Sequence, residues 1–600
     1  MCRIAGIIDK SQNSAVLQNE VQAMCDLMAH GGPDGEGFYI DIENGIAFGH
    51  RRLALIDLSP TGHQPMFYHE NKLVITFNGE IYNFQELKAE LLASGHHFQT
   101  NSDTEIILAC YHAYGTAGFS KLNGMFAFAL HDKDKQLTYL VRDQAGIKPL
   151  YYAADDNKLT FSSEIRAFKG TAYHFNEDPD WKIYFLAFGH IPEPYTTLEA
   201  VKMLPKAHYL QWNHATNLFE IKNFTAEVNS MEINDQQRAV NHIQKTLRSA
   251  TKRHLIADAP IGLFLSGGID SSILCLLSQE CLSEKNEQSQ LNTLSINFDE
   301  EKFSEKSFQD LISAKINGKH AEYKIDKEIF NANFPKALHS MDQPSADGIN
   351  SWFINYFAKE NNLKAVLSGI GADELFGGYP SFKRMAMVKK LSKLPGFVLR
   401  TGIKFNKPAL KRSYYLSYKN TVGKYLFLRG IFTPDEIAAL LECSISKVDE
   451  VLTTAQINNI PNDLNPEEQA SWLEYNLYMQ NQLLKDTDNM SMQHGIEVRV
   501  PFLDQEFVQA VKNIAPGIKF EKSLPKSLLI KAFINILPKE IWDRHKMGFI
   551  FPFQHWLKEN ESFLKGLEQN DYSRQLVRSF KKGDLHWSKI LALHQIWGKG

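Results

Sequence analysis

The chain has 600 residues, 44% hydrophobic and 22% charged, with 65 basic and 69 acidic side chains and a formal net charge of −4. That length exceeds one ordinary hydrophobic core and predicts two or more domains. The balanced charge gives no electrostatic reason to expect nucleic acid or an anionic membrane as partner, no apolar run reaches the roughly 18 residues of a membrane helix, and the N-terminus lacks the pattern of a secretory signal. The six cysteines, Cys2, Cys25, Cys110, Cys275, Cys281 and Cys443, form no CxxC pair. Neither a disulfide framework nor a zinc site is indicated, and a reducing cytoplasm fits.

In chain order, Cys2 comes first, directly ahead of a short apolar strand, Ile4–Ile8. Its place has two readings. One is chance. The other is that Met1 is removed, so that one residue carries both a thiol and an α-amine, a nucleophile beside its base. LVITF (73–77) reads as a strand that ends at the turn-like NGEIYN. FQELKAELLASG (84–95) reads as an amphipathic helix stopped by Gly95. SDTE (102–105) is a capping-box pattern, in which Ser102 and Glu105 satisfy the first amides of the helix EIILACYHAYG. MFAFALHD, QLTYLVRD, PLYYAAD and KLTFSSE follow as antiparallel strands, which predicts layered sheets with helices outside.

The polar stretch 211–236 reads as a linker between a domain at 2–210 and a second at 237–600. IGLFLS (261–266), LNTLSINF (291–298) and LKAVLS (363–368) are each followed by helical sequence, the pattern of a parallel α/β sheet. Beyond about residue 380 the chain reads as mostly helical, and beyond about residue 560 it carries no readable motif.

LSGGIDSS (265–272) places two glycines at a strand-to-helix turn, where backbone amides and the helix N-terminus favour an anion. Ser266 and Ser271 add hydroxyls, and Asp270 is a candidate for a divalent cation. SGIGADELFGGY (368–379) repeats the arrangement, so Asp270 and Asp373 are placed to share one Mg²⁺–nucleotide. The alternatives are a ligand-free turn for the first loop and helix-capping roles for Asp373 and Glu374. No GxxxxGK[ST] loop is present. Lys526, Arg544 and Lys546 are candidates to neutralise phosphate charge, or are solvated surface cations.

Over about residues 2–560 the chain resembles the glutamine-dependent asparagine synthetases and their amidotransferase relatives. The resemblance rests on MCRIAGI, GGPDGEG, HRRLALID, FNGEIYN, SDTE, RDQAGIKPLYY, LSGGIDSS, SGIGADELFGGY, LLKDTDNMSMQHGIEVRVPFLD and PKSLLIKA. It implies a four-layer αββα Ntn-type amidotransferase domain. This is followed by a parallel-sheet α/β ATP-pyrophosphatase domain (of the adenine nucleotide alpha hydrolase type) with a helical C-terminal part.

By this resemblance Cys2 attacks the glutamine amide, and Asn78 with the amide of Gly79 forms the oxyanion hole. Arg52 pairs with the glutamine carboxylate, Leu53, Ala54, Leu55 and Ile56 line the same pocket, and Glu80 and Asp103 hold the α-ammonium and its surroundings. Leu265 and Ile296 line an adenine pocket. Ser266, Gly267, Gly268, Asp270 and Ser271 form the pyrophosphate loop, Ser368 and Gly369 a second nucleotide contact, and Lys526 acts at the phosphates. ATP and Mg²⁺, glutamine, and aspartate or another carboxylate are the implied small molecules. Ammonia passes through the protein, and a homodimer is the suggested assembly.

Three positions depart from the family. HRGPD appears as HGGPD, with Gly31 for arginine; Gln343 replaces a common glutamate; and Ile370 stands where asparagine synthetases often carry a carboxylate. Isoleucine neither accepts a proton nor pairs with an ammonium. The leading expectation is asparagine synthesis. The nearest rival is the same chemistry on another carboxylate, such as a sugar uronic acid in surface polysaccharide biosynthesis. A non-catalytic binding or regulatory protein is the alternative of another class.

Overall fold

The computed structural model describes residues 2–155, 157–225, 231–284, 290–405, 407–521, 524–545, 547 and 551–598. The N-terminal domain is built on twelve strands: β1 (Arg3–Asp9), β2 (Gly35–Asp41), β3 (Ile46–Arg52), β4 (Met66–Tyr68), β5 (Leu73–Ile81), β6 (Gly124–Asp132), β7 (Leu137–Arg142), β8 (Tyr151–Ala154), β9 (Lys158–Ser162), β10 (Lys202–Met203), β11 (His208–Asn213) and β12 (Leu218–Asn223). They form two six-stranded sheets, ordered β10-β8-β9-β1-β3-β2 and β12-β11-β7-β6-β5-β4. Side chains alternate across a strand, and β1 shows the consequence. Ile4 and Ile8 point into the core between the sheets, with Val74, Leu140 and Trp212. Ala5 and Ile7 point the other way, against Leu17, Val21 and Met24 of the helix Ser14–Asp26. The helix Asp103–Tyr114 covers the second sheet through Ile106 and Ile107. The result is the expected helix–sheet–sheet–helix stack.

The C-terminal domain carries a five-stranded parallel sheet of β13 (Ile261–Phe264), β14 (Leu291–Phe298), β15 (Gly318–Ile325), β16 (Ala365–Leu367) and β17 (Glu497–Arg499), ordered β15-β14-β13-β16-β17. From β13 the chain first builds to one side and later to the other, so the crevice beyond the carboxyl ends of β13 and β16 is a topological switch point.

Four local expectations are corrected. NGEIYN is not a turn after LVITF: Asn78, Gly79, Glu80 and Ile81 continue β5 and pair with β6. SDTE is not a reciprocal capping box. Ser102 caps by accepting from the Thr104 amide, but Glu105 turns back to the Gln99 and Thr100 amides. The stretch 211–236 is not all linker, because its first part forms the end of β11 and all of β12. The polarity that suggested a linker belongs to β12 as an edge strand, exposed at every residue. β17 falls in a region read as helical; two of its three residues are charged, so no strand pattern is visible.

Candidate functional site

Cys2 is 7% exposed at the entry to β1. Its main-chain nitrogen donates to Asn78 Oδ1 at 3.2 Å, and its thiol lies 3.9 Å from the Leu53 carbonyl oxygen. Burial pushes the thiol above its ordinary range. The resting group is therefore a neutral thiol, and a base must take its proton. The α-amine is that base only if Met1 is removed, and Met1 lies outside the described residues. The Asn78 carboxamide is oriented by its Nδ2–H bond to Ser163 Oγ (3.4 Å), which itself accepts from the Ile4 amide at 3.0 Å. A Cβ at Gly79 would stand 2.1 Å from the Met125 carbonyl oxygen, so only glycine lets β5 pair with β6 there.

Arg52 donates to the carbonyl oxygens of Ser59 (3.1 Å) and Asp57 (2.5 Å), folding the following loop back beneath its guanidinium. Leu53 and Leu55 face the C-terminal domain. The Ala54 amide donates to Asp34 and the Leu55 carbonyl accepts from Asp258, while Ile56 packs toward the second sheet of the N-terminal domain. Glu80 and Asp103 are both buried. Asp103 Oδ2 accepts from the Ile81 amide at 2.8 Å. Glu80 Oε2 lies 3.7 Å from Arg499 Nη2, and Arg499 Nε bonds Glu497 Oε1 at 2.5 Å. Two buried carboxylates, Glu80 and Glu497, thus share the β17 arginine, and Asp103 lies within reach of the same charge. Burial pushes Asp103 up to about 6 and Glu80 well above the carboxylate range. Arg499 and Glu497 received no role from the sequence. The one available signal was a charged pair inside the apolar EVRVPF.

The second constellation occupies the switch point. Ser266 Oγ and Ser271 Oγ are 3.0 Å apart, and the Gly268 amide donates to Ser266 Oγ at 3.3 Å. Gly267 has a φ of 78°, and the helix Ile269–Glu284 begins immediately after the loop. Leu265 and Ile296 are buried beside it. The Ser368 amide donates to the Arg499 carbonyl at 2.8 Å. A Cβ at Gly369 would meet Asp270 Cβ at 2.8 Å, so glycine is what lets the two loops close on each other.

Lys526 Nζ bridges Asp270 (2.5 Å) and Asp373 (2.6 Å), and the two carboxylates hold it strongly protonated. Lys526 is therefore buried at the loops and is not the solvated surface cation of the alternative reading. The bridge also shows that both carboxylates reach a single cation position. Mg²⁺ bound to a polyphosphate needs only one or two carboxylates, so the pair fits that ion. Among the described residues no cluster of three or more metal-ligating side chains was found. Arg544 is engaged by the Gly267 carbonyl (2.9 Å) and Glu305 (2.7 Å), which anchors the loop from behind. Lys546 lies outside the described residues. Glu374 is buried, bonded to the Tyr379 hydroxyl at 2.8 Å, and raised to about 7 by burial and by Asp373. Ile370 is half-buried against apolar neighbours.

One apolar cluster joins the two constellations. Leu53, Met125 and Ile147 from the N-terminal domain pack with Leu265, Met492 and Val500 from the C-terminal one. A separate cavity of about 40 Å³, lined from both domains, is bounded by Arg3, Ser163, Glu164, Gln343, Asp486 and Asp488 among others. Gln343 donates to the Tyr151 hydroxyl at 2.9 Å, so this departure bears on the domain junction.

Residues 1–224 match the family described as glutamine amidotransferase domain, and residues 242–579 match asparagine synthase. The chain is 30% identical to "Asparagine synthetase [glutamine-hydrolyzing] 1" of Bacillus subtilis, over 96% of this chain and 90% of that protein. It is 30% identical to "Putative asparagine synthetase [glutamine-hydrolyzing]" of Mycobacterium tuberculosis, over 89% and 84%. It is also 27% identical to "Amidase chry2" of Gibberella zeae, over 90% and 85%. No helix among the described residues is long and apolar enough to cross a membrane.

Proposed function

Because the chain belongs to the family of glutamine-hydrolysing asparagine synthetases, with an Ntn-type glutamine amidotransferase domain ahead of an asparagine synthase domain, we propose that it makes asparagine from aspartate, glutamine and ATP. The Cys2 thiolate attacks the glutamine carboxamide, and the thiol proton passes through the α-amine to the departing nitrogen. Ammonia leaves a γ-glutamyl thioester, which water hydrolyses to glutamate. Asn78 Nδ2 and the Gly79 amide stabilise the oxyanion. Arg52 takes the substrate carboxylate, and Asp103 with Glu80 takes its α-ammonium.

At the second site the loop Leu265–Ser271 cradles the polyphosphate, with Ile296, Ser368 and Gly369 beside the nucleoside. Asp270 and Asp373 are the carboxylates that would hold Mg²⁺, which supplies charge neutralisation at the phosphates. The aspartate side-chain carboxylate attacks the α-phosphorus and pyrophosphate leaves. Ammonia then attacks the acyl carbon of the adenylate and AMP leaves. The cluster from Leu53 to Leu265 supports an internal route, because an apolar path passes neutral ammonia and rejects ammonium. The observation that carries the reading is Lys526 between Asp270 and Asp373, a cation fixed where two glycine-rich loops meet. Ile370 favours a second reading, the same chemistry on a different carboxylate such as a uronic acid.

Pyrophosphate release from Mg-ATP, measured with aspartate and an ammonium salt, tests the first reading without using the glutaminase. Release that depends on aspartate, with asparagine formed, is the expected result. No aspartate dependence in a folded, ATP-binding protein overturns it in favour of the second.

A further inference from the structure

Arg3, the residue after the nucleophile, is fully buried, and its guanidinium spans the two domains. Nε meets Glu164 Oε1 at 2.6 Å, and Nη1 meets Asp488 Oδ2 at 2.8 Å. Glu164 is also held by His30 (3.0 Å) and Arg166 (2.9 Å). Asp488, on the helix Leu484–Met492 of the C-terminal domain, takes Lys148 at 2.7 Å. Arg166 and the amides of Ile165 and Arg166 carry the network on to Asp342. A continuous buried string of charges therefore runs from the neighbour of Cys2 into the C-terminal domain.

Gly31 is what admits this arginine. A Cβ at position 31 would lie 2.7 Å from Arg3 Cγ and 3.0 Å from its Nε, so the stem of Arg3 fills the space that a side chain at 31 would need. Arg3 and Gly31 are thus one steric unit. Here arginine stands at 3 and glycine at 31, and the Arg3 stem fills the space beside Gly31.

We propose that Arg3 is a positioning residue for Cys2: held over Gly31, its guanidinium clamps the nucleophile's strand β1 to the C-terminal domain. This rests on Cys2 as the glutaminase nucleophile. Arg3 touches none of Arg52, Glu80 or Asp103, so it acts on the placement of the thiol and leaves substrate affinity alone. A displacement of about 1 Å in a reacting group costs on the order of 100-fold in rate.

Glutamate formation from glutamine, without acceptor, reads this directly, whatever the acceptor is. Wild type against Cys2→Ala first tests the nucleophile: activity surviving in Cys2→Ala sinks that premise separately. Arg3→Met, and Asp488→Asn in the other domain, are each expected to lower kcat by about tenfold or more, with KM for glutamine within about twofold. Arg3→Gly combined with Gly31→Arg is expected to recover kcat to within about threefold of wild type. A merely structural Arg3 would lower the melting temperature of Arg3→Met and leave the kcat of the folded protein unchanged, and that result overturns the proposal. So does a double variant that is slow, or that fails to fold.

Discussion

Asp103 gives the clearest residue-scale consequence. Burial raises its carboxyl to about 6, so it is ionised at neutral pH and protonated in mild acid. Only the ionised form attracts the α-ammonium of glutamine. kcat/KM for glutamine is therefore expected to fall as pH drops through about 6, by about tenfold per pH unit on the acid limb, since this ratio reports the free enzyme. Asp103→Asn should abolish that limb and lower kcat/KM at pH 7; an unchanged acid limb in Asp103→Asn would assign it to another group. The same burial that sets this limit was invisible in SDTE, where Asp103 has the look of an ordinary helix-start carboxylate. Cys2 was legible as a reactive candidate, but the burial that raises its thiol pKa exists only in the folded domain, where the contact with the Leu53 carbonyl works in the opposite direction.

At the scale of elements, the glycines decide. Gly369→Ala places a Cβ against Asp270 and forces the two nucleotide loops apart. ATP affinity in a binding titration should fall by about tenfold or more, roughly the loss of one good charge-assisted contact, while glutamine hydrolysis stays at the wild-type rate. Ser102→Ala removes the cap of the helix Asp103–Tyr114 and should cost about 1 kcal/mol in denaturant unfolding. The paired glycines of LSGGIDSS and SGIGADE identified the loops in advance, because a strand-to-helix turn open to a ligand has few alternatives to glycine. NGEIYN misled for the same reason. Asn-Gly reads as a turn locally, yet Gly79 is there so that β5 can lie against Met125 of β6, and only the neighbouring strand makes that visible.

For the whole molecule, Arg499 is, with Arg3, a residue through which the domains meet. It neutralises Glu497, approaches Glu80, and donates to the carbonyl oxygens of His254 (2.8 Å) and Ile256 (2.6 Å). Arg499→Met would strand buried carboxylates, and breaking such a pair costs about 3–5 kcal/mol. Arg499 lowers the Glu497 pKa, and that part of the stabilisation is present above the unfolded carboxylate pKa and lost as pH falls through the folded one. The deficit of Arg499→Met in thermal unfolding should therefore be large at pH 7 and shrink toward pH 4. A deficit that is equal at both would mean that packing alone accounts for it.

Many strands and helices, the two-domain division, the parallel and antiparallel sheets and the glycine-rich loops were readable from residue order, because they follow from local periodicity and backbone freedom; β12, β17 and the end of β5, which lack such a pattern, were not. Nor were the charge partners. Lys526 with Asp270 and Asp373, Arg499 with Glu497 and Glu80, and Arg3 with Glu164 and Asp488 are each joined across at least one long stretch of chain. Which buried charge meets which is settled by desolvation, since an ion leaves water only where another is already waiting, and that place exists only once the chain has folded: within the C-terminal domain for Lys526, and between the domains for Arg3 with Asp488 and Arg499 with Glu80.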